Sequence, residues 1–531
     1  MTQNTAQQEI AAGYATDSPA ITLGAVMVDG TPDPSARVAL PLSMVNRHGL
    51  IAGATGTGKT KTVQLLVEQL SSAGVPVVVA DIKGDLSGLA APGENSPKVT
   101  DRAERAGVDW APESFPVEFL SLGTGGIGVP VRATISDFGP ILLSKVLGLN
   151  ATQESTLGLI FYWADQQGLE LFDLKDLRAV IAHLTSDEGK ADLKGIGGVS
   201  SATAGVILRA LVTLEAAGGD TFFGDPALDP ADLMRTVDGR GVVTAIELGG
   251  EAARPALFST FLMWILAELF QELPEKGDVD TPELVFIFDE AHLLFSDASK
   301  AFLEQVVQTV KLIRSKGVGV YFCSQQPTDI PSEVLSQLGA RVQHALRAFT
   351  PEDQAALSKT VRTYPKSEVY DIESALTSLG TGEAIVTVLS ERGAPTPVAW
   401  TLMAPPRSLM DTIGTDAITE MARGSELYAK YGETVDPVSA FEKLEEKARA
   451  AEQAQVGAEE AALQADLARE ESRQQARGGS GGVGVRRDDD EGFVAQTLSN
   501  PAVRSFMRSA ASAAGRELTR SLFGTRSRRR R

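Results

Sequence analysis

Residues 53–60 read Gly-Ala-Thr-Gly-Thr-Gly-Lys-Thr, and no other stretch constrains this chain so tightly. The run satisfies the spacing G-x-x-x-x-G-K-[ST] in full, with the apolar Leu50-Ile51-Ala52 before it and a helical pattern from Lys59 to Ser72 after it. A strand, a glycine loop and a helix in that order make a cradle for phosphate. Glycines 53, 56 and 58 let the backbone bend until its N–H groups converge, with Thr55 and Thr57 between them, and the helix adds its positive end. Lys59 is the expected contact of the β- and γ-phosphates, and the Thr60 hydroxyl is the expected Mg²⁺ ligand.

Such a loop has to be carried by a sheet, and the rest of the chain supplies one. VVVAD (77–81), VVTAIEL (242–248), ELVFIFDE (283–290) and VGVYFCS (318–324) are short apolar, β-branched runs separated by helical patterns. That alternation predicts an α/β fold with a mainly parallel sheet covered on both faces. The core is expected over 46–100 and 236–405, after a short β-rich segment at 1–45. A mostly helical insertion is expected at 101–235. GEAIVTVLS and TPVAWTLM flank Glu391-Arg392-Gly393, which predicts a hairpin. Residues 406–477 read as a C-terminal helical extension. Its spacing of Phe441, Leu444, Ala448, Ala451, Gln455, Ala458, Ala462 and Ala465 suits a lone solvated helix or an alanine-rich coiled coil equally. A glycine-rich linker at 478–492 and a basic amphipathic helix at 493–531 complete the order.

Three further strand ends carry candidate chemistry. Leu284 to Phe288 delivers Asp289 and Glu290 at its C-terminal end, as a Walker B element requires. Asp289 would hold a Mg²⁺-bound water, and Glu290 would polarise the attacking water. His292 is read equally as a cap of the following helix or a nucleotide sensor. VGVYFC runs into Ser324-Gln325, where Gln325 is the candidate contact of the γ-phosphate, because ligands gather at the carboxyl ends of parallel strands. Asp81 ends a strand of the same sheet and is expected either to approach the nucleotide or to brace the turn Ile82-Lys83-Gly84-Asp85. No asparagine precedes a lysine, so the guanine-reading Asn-Lys-x-Asp run is absent and ATP is favoured over GTP.

Composition narrows the setting. With 43% hydrophobic and 22% charged residues the chain is not wholly disordered. A net charge of -20 opposes attraction of nucleic acid over the whole surface, though not at a local patch. Cys323 is the only cysteine, which excludes an intramolecular disulfide and a cysteine-rich zinc site and fits a reducing cytoplasm. The N-terminal residues have neither the basic nor the apolar part of a signal peptide, and Ala256 to Phe270 is too short to span a bilayer. A cytoplasmic protein, nucleoid- or membrane-peripheral at most, is the expectation.

Taken together, GATGTGKT, DIKGD, FIFDEAH and SQQP resemble the HerA/FtsK superfamily of ATP-driven motors. FFGDPALD (222–229), RVQHALRAFTPEDQ (341–354) and the tail around NPAVRSFMRSAASAAGRE are similar to its bacterial HerA-helicase-like members, whose biological role is poorly defined. The resemblance covers about residues 20 to 405. It implies a RecA-like P-loop core, a homo-hexameric ring, DNA as the substrate, and a neighbour's arginine completing each ATP site. Arg47 and Arg347 match arginines in similar positions. Residues 1–45 are too short for the full N-terminal barrel of archaeal HerA proteins, so a nuclease partner docking there is not expected.

Two other functions compete with a DNA translocase or helicase. One is an ATPase switch or scaffold acting on a protein or membrane surface, which the heptad-like segment and the basic tail suit. The other, phosphoryl transfer to a metabolite, is disfavoured by Glu290. The tail itself carries nine arginines at 504, 508, 516, 520, 526 and 528–531 against Glu517 alone. Val503, Met507, Ala510, Ala514 and Leu518 fall on one helical face. Such a helix suits anionic lipid, nucleic-acid phosphates or the acidic core of its own chain.

Overall fold

The computed structural model describes residues 3–81, 84–193, 197–216, 218–247, 255–296 and 298–478. The linker beyond 478 and the basic tail at 493–531 lie outside the described residues, as do Ile82 and Lys83. The chain divides into two units, Met1–Arg449 and Ala450–Arg531. In the second, residues 450–478 are helical, and nearly all side chains of 450–473 are exposed.

In the first unit, twelve strands among the described residues form one sheet. In chain order they are β1 (Ala20–Val28), β2 (Thr31–Pro41), β3 (Gly49–Ala52), β4 (Val77–Asp81), β5 (Val117–Leu122) and β6 (Val129–Val131). Then follow β7 (Val243–Glu247), β8 (Leu284–Phe288), β9 (Val318–Ser324), β10 (Ala340–Gln343), β11 (Glu383–Thr387) and β12 (Ala399–Met403). Across the sheet the order is β2-β1-β12-β11-β10-β3-β9-β8-β4-β7-β5-β6. From β10 to β6 every pairing is parallel, and from β10 to β2 every pairing is antiparallel.

The sequence of the central strands explains their place. All residues of β3, β4, β8 and β9 are buried, as continuous apolar runs must be when helices cover both faces. Alternate residues sort onto opposite sides, because side chains along a strand have period 2. Leu50, Val78, Phe286, Phe288 and Phe322 meet one core with Trp264 and Phe302 from helices Pro255–Glu272 and Lys300–Ile313. Ile51, Val77, Val79, Val285 and Ile287 meet the other with Val63, Leu66 and Leu70 from helix Lys59–Ser72. Truncating one such ring, Phe286 for example, costs about 3–5 kcal/mol. Among the described residues no helix is long and apolar enough to cross a membrane.

Within 101–235 helices dominate: Ile135–Leu147, Ala151–Gln166, Leu174–Thr185 and Ser201–Ala216. Asn150 and Asp173 start two of them with capping boxes. β5 and β6 also come from this stretch and extend the sheet edge, so the insertion contributes strands to the core as well as helices. The 391–393 turn joins β11 to β12 in an antiparallel pair, with Gly393 at φ 74°. After β12 the chain returns as a strap over helix Lys59–Ser72. The buried carboxylate of Glu68 accepts from the backbone N–H of Arg407 at 2.8 Å and of Ser408 at 2.9 Å, and from the Ser408 hydroxyl.

Candidate nucleotide site

The C-terminal ends of β3, β9, β8, β4 and β7 lie side by side in that order, and each carries a polar group. β3 feeds the glycine loop. Gly53 N–H donates to Ser324 O at 3.2 Å, Ala54 N–H to Ala345 O at 2.9 Å, and Gly382 N–H to Thr57 O at 2.8 Å. The loop is thus framed by the ends of β9 and β10 and the turn before β11. Two glycines are required by contact as well as by backbone angle. A Cβ on Gly53 (φ 154°) would lie 2.5 Å from His344 Cβ, and one on Gly58 (φ 115°) would lie 3.1 Å from Gly382. Lys59 Nζ curls back to donate to Gly53 O at 2.5 Å and Ala54 O at 3.3 Å, and Thr57 Oγ1 donates to Ala54 O at 2.7 Å. Thr55 and Gly56 are exposed at the tip.

His344 fixes the floor of this loop, and sequence reasoning passed over it. It is fully buried. Its Nδ1–H donates to Glu383 O at 2.9 Å, which leaves Nε2 to accept from the Thr62 hydroxyl at 2.9 Å. Burial, aided by the charge of Lys59, pushes its pKa down to about 4, so the ring stays neutral and keeps that tautomer.

Asp289 and Glu290 leave the end of β8, one strand beyond β9. Glu290 is buried, adopts a left-handed φ of 47° and places Oε2 3.3 Å from His292 Nδ1. A non-glycine residue held there costs about 1–3 kcal/mol, a pattern that clusters at functional sites. Gln325 is exposed and lines a cavity of about 420 Å³ with His292 and Gln326. Ser324 Oγ is tied to Asp329 at 2.5 Å.

The carboxylate of Asp81 accepts from the backbone N–H groups of Asp85 at 3.1 Å and Leu86 at 2.9 Å, and so braces the turn after β4. That turn brings Asp85 Oδ2 within 3.3 Å of the Thr60 hydroxyl. Glu247, at the end of β7, is paired in register with Asp81. Burial pushes both carboxyls up to about 7; the charges of Asp85 and Asp289 add to the shift of Asp81, and that of Asp81 to the shift of Glu247. Asp85 and Glu247 were missed in the sequence. The available signal was an acid at or just past the end of an apolar strand, the same one that marks Asp289.

The two arginines fall at opposite ends of the sheet. Arg347 follows β10 on the phosphate side and is exposed. Arg47 precedes β3, and its Nη2 meets Asp278 Oδ1 at 3.1 Å; Arg314 Nη2 meets the same oxygen at 3.1 Å.

The residues present fit a magnesium–nucleotide complex. The glycine loop ends in Lys59 at the head of its helix, and Thr60, Asp85 and Asp289 offer only oxygen donors, the set a hard cation takes.

A family model described as helicase HerA-like C-terminal matches residues 27–531. The chain is 24% identical over 376 residues to the DNA double-strand break repair helicase HerA of Pyrococcus furiosus, covering 66% of this chain and 65% of that protein. It is 21% identical over 366 residues to the helicase of the same name from Sulfolobus acidocaldarius, covering 66% and 64%. The chain therefore spans a little under two thirds of the length of these relatives. Among solved structures, the plasmid coupling protein TrwB in complex with ADP and Mg²⁺ is similar at 16% identity and a TM-score of 0.48, covering 76% of this chain and 95% of that one.

Proposed function

The chain belongs to the HerA-like helicase family of P-loop ATPases, and on that premise we propose that it is an ATP-hydrolysing ring motor that moves DNA. The observation that carries the hydrolytic part is the convergence of Lys59, Thr60, Asp289, Glu290 and Gln325 on the ends of three neighbouring strands. Loop amides and Lys59 bind the β- and γ-phosphates. Thr60 and Asp289, with Asp85 beside Thr60, would hold Mg²⁺, which when bound neutralises charge on the transferring phosphoryl group. Glu290 orients and deprotonates the attacking water, and Gln325 reads the γ-phosphate from the intervening strand.

The ring reading is supported by the place of Arg47. The four-residue strand β3 separates it from the glycine loop, which at about 3.3 Å per residue is roughly 13 Å and beyond the reach of its side chain. Arg47 therefore does not reach its own subunit's nucleotide, and in a ring its role would be at a neighbour's. Arg314 joins it there through their shared Asp278. Arg347 lies on the phosphate side and serves a site there.

The DNA part rests on the relatives, and one measurement tests it. The ATPase rate is recorded with no DNA, with single-stranded DNA and with double-stranded DNA. Stimulation by either supports a DNA motor. Hydrolysis indifferent to both removes DNA as the substrate and favours a switch acting on a protein or membrane partner.

A further inference from the structure

The turn before β11, which frames the glycine loop, is itself held by one side chain. Arg102 projects from helix Pro97–Ala106, which Ser96 caps by accepting from Val99 N–H and which ends on Gly107. Its guanidinium donates to three backbone carbonyls: Nε to Met403 O at 3.0 Å, Nη1 to Thr381 O at 3.3 Å, and Nη2 to Gly382 O. Glycine at 382 makes room for it, since a Cβ there (φ 74°) would lie 2.5 Å from Nη2. Burial lowers the pKa of Arg102, against the pull of the Glu383 carboxylate. That carboxylate is engaged elsewhere, for its Oε2 accepts from Trp400 Nε1 at 3.0 Å and from Gly380 N–H at 2.9 Å. The charge of Arg102 is thus spent on carbonyl dipoles.

Those carbonyls are in line with the glycine loop. A trans peptide is planar and points its C=O and its N–H in opposite directions. Arg102 Nη1 holds the oxygen of the Thr381–Gly382 peptide, so the N–H of that peptide points away from the guanidinium, and it donates to Thr57 O at 2.8 Å. Thr57 O belongs in turn to the Thr57–Gly58 peptide, whose N–H therefore faces away from Gly382. That N–H, directly ahead of Lys59, is one of the loop amides that phosphate would meet. Guanidinium and two peptides run head to tail, and in a low-dielectric interior each such bond polarises the next. A second observation places the charge of Arg102 at the loop. His344 lies beneath it, and after burial the charges of Lys59 and Arg102 hold its pKa down at about 4.

We propose that Arg102 is a positioning residue for ATP binding, which orients Gly58 N–H toward phosphate through the peptides Thr381–Gly382 and Thr57–Gly58. It touches neither nucleotide nor the attacking water, so it sets affinity and leaves the chemical step to Glu290. The inference rests on the glycine loop being the nucleotide site, but not on a ring or on DNA.

The test uses the full chain with Mg²⁺. Equilibrium binding of a non-hydrolysable ATP analogue gives Kd, and steady-state hydrolysis at saturating ATP gives kcat. Arg102→Ala should weaken binding at least tenfold while kcat stays within threefold of wild type. Arg102→Lys keeps the charge and a donor for the same carbonyls, and its affinity should return to within threefold. Should the alanine chain not fold, Arg102→Met, which keeps the apolar stem and loses every donor, carries the same expectation. An unchanged affinity overturns the proposal. So does a kcat that falls with the affinity, or a loss that lysine leaves unrecovered, because a general loosening of the core gives both. Lys59→Ala, measured alongside, separates this failure from that of the site itself. If Lys59→Ala weakens binding and Arg102→Ala does not, only the relay is wrong; if neither does, the glycine loop is not the nucleotide site.

Discussion

Replacing Glu247 with glutamine should stabilise the nucleotide-free protein, and by an amount that grows with pH. The residue is 5% exposed, sits in register beside Asp81, and leaves its Oε1 without a hydrogen bond. Its folded pKa is raised from 4.5 to about 7, so the folded state prefers the protonated form more than the unfolded state does. The contribution of this group to stability is therefore complete below pH 4.5 and is lost as pH rises through 7. Glutamine imitates the protonated form at every pH. At 1.36 kcal/mol per pKa unit, the gain over wild type should be about 1.4 kcal/mol at pH 5.5 and level off near 3 kcal/mol by pH 8. Part of that gain comes from Asp81, which titrates with Glu247 as a pair. Urea unfolding without nucleotide or Mg²⁺, at pH 5.5 and pH 8, reads the difference while staying clear of the isoelectric point at 4.8. An equal gain at both pH values, or a loss at pH 8, refutes the reasoning, because Glu247 would then have a partner that favours its charge.

Glu290→Gln should leave ATP affinity within threefold while lowering kcat by about 10²–10⁴, whereas Lys59→Ala should lose affinity itself; equilibrium binding and single-turnover hydrolysis separate the two. Mixing Arg47→Ala subunits with Lys59→Ala subunits should restore part of the hydrolysis that each lacks, and activity that stays at the sum of the two shows that Arg47 does not act across subunits. Deleting residues 493–531 should leave basal hydrolysis nearly intact while weakening salt-sensitive binding to DNA or anionic vesicles. Loss of basal hydrolysis in that truncation would make the tail part of the catalytic assembly.

The parts of the fold that were legible in the sequence share one property: they are local. The glycine loop is contiguous, and the strands ending in Asp81, Phe288 and Ser324 are buried on both faces, so their apolar runs are uninterrupted. Residues whose roles depend on pairing across long separations were not legible. Asp85 gains its role from Thr60, His344 from Thr62 and Glu383, and Arg314 from an aspartate shared with Arg47. β5 and β6 were hidden because they lie among helices, and their strand character comes from pairing at the sheet edge, β5 with β7 and β6 with β5. Asp81 illustrates an ambiguity that pattern alone leaves open. Both nucleotide contact and bracing place an acid at a strand end, and only the hydrogen bonds to Asp85 and Leu86 assign the bracing.

The position of β3 also bears on how the chain is made. Its two neighbours in the sheet are β9 and β10, which begin at Val318 and Ala340, so the strand that carries the glycine loop leaves the ribosome long before either partner exists. At roughly 5–20 residues per second, the intervening stretch of about 265 residues takes on the order of 13–50 s to synthesise. Throughout that interval Gly49–Ala52 has two open edges, and the frame that Ser324 and Ala345 give the loop is absent. The nucleotide cradle is therefore among the last parts of the core to close, and the unfinished chain passes through a stage in which its earliest apolar strands have only each other, or another nascent chain, to pair with.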